Sequence, residues 1–190
     1  MFKETLDKDD KKQSANKKSR IKEEIKSWLE TIIAALILAF CINNFIIVNA
    51  TVPTGSMENI IMPNDKIVAL RLSYYWASPE RGDIAVFKFP DDETILYVKR
   101  VIGLPGDTVE IVNGLVYIND NQFPLEEDYI KDEPIGNHGP FTVPEGHYFM
   151  LGDNRQYSID SRYWNNKFVE EDKILGKVYF RYWPSVEMLK

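Results

Sequence analysis

Three stretches of the sequence carry residue types that could do chemistry. Pro53-Thr54-Gly55-Ser56-Met57 sets a serine beside a glycine. In a tight segment such a serine presents its hydroxyl and its backbone N–H together, which nucleophilic attack and oxyanion stabilisation both need. Taken alone it is a weak signal and reads more readily as a turn serine. In the stretch from Tyr97 to Asp107, Lys99 shares a strand face with Ile95, Tyr97 and Val101 and is the only charge on it. Such a lysine either reaches to the sheet edge or is desolvated, with its pKa lowered. No Asp or Glu lies within five residues of it, and Arg100 is expected on the opposite face as a neighbouring cation. Residues 152–162 hold two Asp, two Arg, two Ser and one Asn directly after the apolar Tyr148-Phe149-Met150-Leu151. That density fits a hydrogen-bonded loop packed on a site, or a solvated loop. The acidic spacing of a calcium loop is missing.

Other polar signals point to structure. Arg81-Gly82-Asp83 reads as a turn before a strand. Asp91-Asp92-Glu93 and Glu126-Glu127-Asp128 read as solvated loop charges. His138 and His147 each sit beside Gly or Pro and read as structural. Asn49-Ala50-Thr51 is a formal glycosylation sequon, set too close to an apolar segment to weigh. One cysteine excludes an internal disulfide and a cysteine zinc site, and two histidines argue against a multi-histidine metal centre.

The elements that must position these residues follow from patterning. The chain has 190 residues and a net charge of -6, the wrong sign for a nucleic-acid binder. Residues 1–30 carry a net charge of +2, from 9 cations and 7 anions, and the rest carry -8. Residues 3–20 are too polar to offset the entropy of ordering and read as mostly disordered. Ile21, Ile25, Trp28 and Leu29 then mark one stripe of a helix, with Trp28 at headgroup depth. Residues 32–42 are an unbroken apolar run that resumes after Asn43 and Asn44, with Cys41 as a small apolar residue within it. As a helix, residues 31–48 would span roughly 27 Å, close to the ~30 Å of a hydrocarbon core. Val48-Asn49-Ala50 also fits a leader cleavage site, but the length favours an uncleaved anchor. Seven Lys/Arg lie in residues 11–30 and none in 49–65. The positive-inside rule then places the N-terminus in the cytoplasm. The expected layout is a cytoplasmic tail and interfacial helix at 1–30, a transmembrane anchor at 31–48 and an extracytoplasmic domain at 49–190.

That domain reads as mostly β, in twisted antiparallel sheets. Strands are expected at 67–70, 84–87, 95–102, 108–112, 115–118, 146–151 and 174–183, with a helical turn near 170–174. Val112-Asn113-Gly114-Leu115 is a hairpin signal, since Asn-Gly supplies positive φ. Residues 119–142 are polar and poorly periodic and read as an excursion from the β core.

In this order, behind an apolar anchor, the three stretches and the Arg81-Gly82-Asp83-Ile84 turn resemble the type I signal peptidases. These are membrane-bound Ser/Lys endopeptidases that remove signal peptides from exported proteins. The resemblance runs from the anchor to about Trp183, in the compact single-anchor form of Gram-positive bacteria. It implies Ser56 as nucleophile and Lys99 as general base, with Ser158 orienting the lysine. It also implies an oxyanion hole from the Ser56 N–H and the Thr54 hydroxyl. Asp153, Asp160 and Arg162 would brace the site, and Ala50, Val52, Tyr97 and Val98 would meet the substrate. Cleavage would follow small residues at −3 and −1. No metal or other cofactor is implied. The implied partners are signal peptides of exported preproteins, the lipid bilayer and the secretion translocon. The chain departs from the family's usual Ser-Met-x-Pro-Thr-Leu continuation. Asn59 and Ile60 stand for Pro and Thr, and Asn64 stands for Gly before Asp65. Asparagine tolerates the left-handed region, so the turn at 64 is expected to survive. The change at 59 bears on the shape of the loop and removes no reacting group. A self-cleaving repressor with the same chemistry and a non-catalytic tethered β domain are the rival readings.

Overall fold

The computed structural model describes residues 2–189, with backbone alone for residues 2–19 and Ile21. The chain divides into two compact units, Met1–Ile42 and Asn43–Lys190. The first is a helix, α1 (Phe2–Cys41). Residues 3–20, expected to lack order, have helical backbone. No Gly or Pro precedes Pro53, so no strong breaker interrupts the helical preference of its Lys, Glu, Gln and Ala residues. Between Lys22 and Ile46, a stretch of 25 residues, an 18-residue window reaches a mean hydropathy of 2.0 with nothing buried. At 1.5 Å per residue this is roughly 37 Å, long and apolar enough to cross a membrane. Ile25, Trp28 and Leu29 of the expected stripe are exposed, and the side chain of Ile21 lies outside the described residues. The α-helix gives way to a π turn, Ile42–Ile46, at the two asparagines, whose side chains compete with helical backbone bonding.

The second unit holds the strands. In chain order they are β1 (Ile47–Thr51), β2 (Lys66–Leu70), β3 (Ile84–Phe89), β4 (Asp92–Gly103), β5 (Thr108–Val112) and β6 (Leu115–Ile118). They continue with β7 (His138–Thr142), β8 (His147–Leu151), β9 (Val169–Glu170), β10 (Ile174–Trp183) and β11 (Glu187–Met188). The larger sheet runs β1-β2-β10-β3-β4-β8-β9, with β11 on β10; the smaller runs β6-β5-β7. Every pairing is antiparallel. The fold is therefore mostly β behind one apolar helix.

Two sequence expectations change. Ile47 and Val48, expected inside the membrane span, belong to β1, where Ile47 pairs with Leu70 and Val48 with Ala69. β-branched residues fit a pleated, half-buried surface, and Val48 is buried in the core. The excursion at 119–142 ends in a strand, β7, paired with β5. Gly139 and Pro140 hid it, but β7 is an edge strand, where proline is tolerated. The hairpin between β5 and β6 forms as expected, with Asn113 at φ 50° and Gly114 at φ 83°. The helical turn forms at Glu171–Lys173.

Three apolar clusters set the frame. Val48, Val52, Met57, Ile61, Ile67 and Val178 pack under the Ser56 segment. Phe87, Val101, Tyr148 and Trp164 pack across the middle of the larger sheet. Ile102, Val109, Val116 and Phe149 join it to the smaller one. Each such side chain contributes about 1.5–3 kcal/mol on burial. Two registers then fix the site. Ala85 pairs with Lys99, and Arg100 pairs with Leu151. The loop after Leu151 therefore leaves the sheet beside Lys99.

Candidate active site

Ser56 follows a chain reversal pinned at both ends. Val52 N donates to Asp65 O at 2.9 Å, and Asn64 N donates to Val52 O at 2.7 Å. Asn64 has φ 70°, so the turn survives as expected. Met57 and Ile61 are fully buried and hold the intervening loop down. Ser56 is thereby presented at the end of a groove while only 7% exposed.

Lys99 is 4% exposed, and its Nζ lies 2.5 Å from Ser56 Oγ. Burial lowers its pKa from 10.5 to about 8; Asp160 and Asp153 oppose the shift and Arg162 adds to it. The cation that matters is thus Arg162 rather than Arg100, and two carboxylates approach through the fold. At pH 7 the neutral fraction of the amine rises roughly 300-fold over an ordinary lysine. Thr54 is exposed, with Oγ1 3.5 Å from Ser56 Oγ. Ser158 is buried, but its Oγ has no hydrogen-bond partner, so the bond to Lys99 implied by the resemblance is not made. Its Oγ packs where a Cβ on Gly152 would fall, next to Ser56 O. This is why position 152 takes no larger residue.

Most of the loop at 152–162 is buried, with Gln156, Tyr157 and Ile159 exposed. Arg100 grips Asp153 through two bonds, at 2.9 and 2.7 Å. Arg162 grips Asp160 likewise, at 2.7 and 2.8 Å, and Asp160 also accepts from Gly152 N at 3.1 Å. Burial raises the Asp153 pKa even though Arg100 opposes it.

A third pair was hidden from sequence reading. Arg155 grips Glu127 at 2.9 and 2.5 Å, with side-chain exposures of 2% and 5%. The Glu126-Glu127-Asp128 run is therefore not wholly a solvated loop. Its partner lies 28 positions away, and no local pattern announces it. Asn154 was also missed as a contact to the nucleophile segment. Its N–H donates to Ser56 O at 3.1 Å and its side chain to Gly55 O at 3.0 Å.

The groove has a volume of about 510 Å³. Residues 49–54 and Ser56 form one wall, residues 95–99 the other, and Tyr157 and Ile159 stand at the rim. Ala50, Val52, Tyr97 and Val98 all line it. β1 is an edge strand, and β8 pairs only with the stretch of β4 beyond Lys99. Strand edges therefore border both sides of the groove. Tyr97 also stacks on Phe89, with ring centres 4.4 Å apart. His138 packs edge-on against Tyr163 and His147 bonds to Glu145 O; neither lines the groove. The Arg81-Gly82-Asp83 turn is structural, with Asp83 accepting from Tyr74 OH and Glu80 N, each at 3.1 Å. Among the described residues no cluster of His, Cys, Asp and Glu could hold a metal ion.

Comparison with known proteins gives a consistent result. The model of the family described as "Signal peptidase, peptidase S26" matches residues 25–183. A probable signal peptidase I-2 of Synechocystis is 41% identical over 167 residues, 83% of this chain and 74% of that protein. Signal peptidase IB of Staphylococcus aureus is 34% identical over 183 residues, 88% of this chain and 94% of the relative. A crystal structure of a signal peptidase I from Enterococcus faecalis aligns at 36% identity with a TM-score of 0.46, over 53% of this chain and 97% of that one. With its family signature spanning the sheets and the groove alike, this chain belongs to the signal peptidases of the S26 family.

Proposed function

We propose that this signal peptidase works through a Ser56/Lys99 dyad and cleaves preproteins after small residues at −3 and −1. The observation that carries the reading is the 2.5 Å contact between Lys99 Nζ and Ser56 Oγ in a buried setting. An extended signal peptide adds as a strand between the groove walls, a recurrent mode of peptide recognition. Ala50, Val52, Tyr97 and Val98 line the groove and would meet the side chains at −3 and −1. Neutral Lys99 accepts the Ser56 proton as Oγ attacks the scissile carbonyl carbon. The Ser56 N–H and the Thr54 hydroxyl stabilise the oxyanion. Breaking the C–N bond releases the mature amine, which takes the proton back from Lys99. Lys99 then deprotonates the water that hydrolyses the acyl-enzyme.

Arg162 and Asp160 hold the loop that covers the lysine, and Asp153 anchors its start. Ser158 packs against Gly152 beside Ser56 O and helps to hold the two segments together. The cation asymmetry supports an anchor with its N-terminus in the cytoplasm and residues 49–190 outside, where the partners are signal peptides, the bilayer and the translocon.

The test is cleavage of a preprotein by the full chain and by Ser56→Ala, Lys99→Ala and the His138→Ala/His147→Ala pair. The first two should be folded and inactive, and the histidine pair active. The acid limb of kcat/KM should fall near 8, the Lys99 value. A limb near 6.5 that disappears in the histidine pair would transfer the base role to histidine.

A further inference from the structure

We propose that residues 126–133 form a strap that positions Ser56 against Lys99, with Glu127, Lys131 and Asn59 as positioning residues. The proposal rests on the Ser/Lys reading above. Nucleophile and base lie 43 positions apart in sequence, and a 1 Å misplacement can cost ~10²-fold in rate. Something must tie their segments together beyond the sheet.

The strap touches the loop after Ser56, the strand β4 and the loop at 152–162. Lys131 Nζ meets Glu58 Oε2 at 2.5 Å. The Glu58 carboxylate lies where a Cβ on Gly55 would fall, so the strap's cation reaches, through one side chain, the residue before Ser56. Asn59 Nδ2 donates to Tyr129 O at 3.0 Å. Tyr129 stacks its ring on the Arg100 guanidinium at 3.8 Å and donates its hydroxyl to Glu127 at 2.7 Å. Arg100 directly follows Lys99 on β4. Glu127 clamps Arg155, whose Nε donates to Gly152 O at 3.0 Å. Gln156 donates to Glu133 O at 2.9 Å.

Asn59 ties the loop after Ser56 to the strap. Its φ is 103°, a region closed to proline, whose ring fixes φ near −65°. At this point of the loop an asparagine in a left-handed conformation is tethered to Tyr129. The rigidity comes from a tertiary contact instead of a covalent one.

The test uses the full chain in phospholipid vesicles and a synthetic signal peptide with Ala at −3 and −1. Glu127→Gln should lower kcat ~10- to 100-fold. KM should stay within about twofold, and the acid limb should not move, since Glu127 is not among the groups acting on Lys99. Lys131→Glu, at an exposed pair that does not threaten folding, should lower kcat about two- to fivefold. Adding Glu58→Lys should restore most of that loss. Asn59→Gly, which keeps the positive φ and loses the tether, should also slow kcat. Wild-type kcat in folded Glu127→Gln and Lys131→Glu would overturn the strap, as would a Glu58/Lys131 exchange no better than the single change. Failure of the dyad would appear elsewhere, as cleavage by Ser56→Ala or Lys99→Ala.

Discussion

Lys99 and Arg100 are neighbours on β4, on opposite faces of one strand, and both are buried. Their charges meet opposite treatment. Arg100 has a carboxylate in both prongs of its fork and a tyrosine ring against its plane. Lys99 has a serine hydroxyl. The carboxylates near it, Asp153 and Asp160, are each gripped by an arginine. A guanidinium stays charged at any ordinary pH and matches a carboxylate in shape, whereas a buried ammonium sheds its proton readily. The contrast teaches how a fold keeps an amine basic yet unprotonated. It saturates the nearby acids with arginine and surrounds the amine with neutral groups.

Four changes would break or sharpen that contrast. The largest effect is expected from Arg100→Gln, which leaves the Asp153 carboxylate buried without its partner. Breaking a buried pair from one side costs about 3–5 kcal/mol, readable as a lower urea midpoint. Arg162→Gln should move the acid limb upward, by removing a cation that lowers the Lys99 pKa and releasing Asp160, whereas Arg100→Gln, which only leaves Asp153 without its arginine, should move it upward less. Equal movement in both variants would erase the distinction between the two faces.

Next comes Lys99→Met. The folded-state pKa of Lys99 lies below its unfolded value, so between about 8 and 10.5 the unfolded chain binds the extra proton. Stability therefore rises with pH across that window. Below it, the buried ammonium costs about 3 kcal/mol. Lys99→Met should thus be inactive and more stable than the parent at pH 7, with the advantage fading as pH climbs toward 10.5. An advantage that grows with pH would reverse the assignment.

The smallest effect belongs to Lys173→Ala. Its ion pair with Glu93 lies at the surface, at 2.9 Å, where solvent screens the charges. The unfolding midpoint and kcat should both be unchanged. A clear loss would mean that geometry counts for more than burial in these pairs.

The candidate site residues were legible because each sits in a short local pattern: Ser56 beside Gly55, Lys99 on an apolar strand face, and Asp160 two residues from Arg162. The strands read well wherever β-branched runs met turn residues, as at β3 and β5. What escaped depends on distant partners. Nothing near Glu127 forecasts Arg155. β1 was absorbed into the span because apolar Ile47 and Val48 look alike to lipid and to a core. β7 was lost because Gly139 and Pro140 mimic a turn. The proposed hydrogen bond of Ser158 failed for a related reason. A residue type gives the capacity to bond, and only the packed loop decides where the oxygen points.

The hairpin tip at Asn113-Gly114 bears on the lifetime of the molecule. An asparagine before glycine is where a polypeptide chain ordinarily ages fastest, because the glycine nitrogen can attack the side-chain carbonyl and close a succinimide. Here that nitrogen donates to Gly136 O at 2.7 Å, and a Cβ on Gly114 would strike Pro134 O. The nitrogen is engaged and the backbone has little room to turn toward the side chain. The same packing that lets two residues reverse the chain therefore slows its chemical clock at the point where that clock would otherwise run quickest.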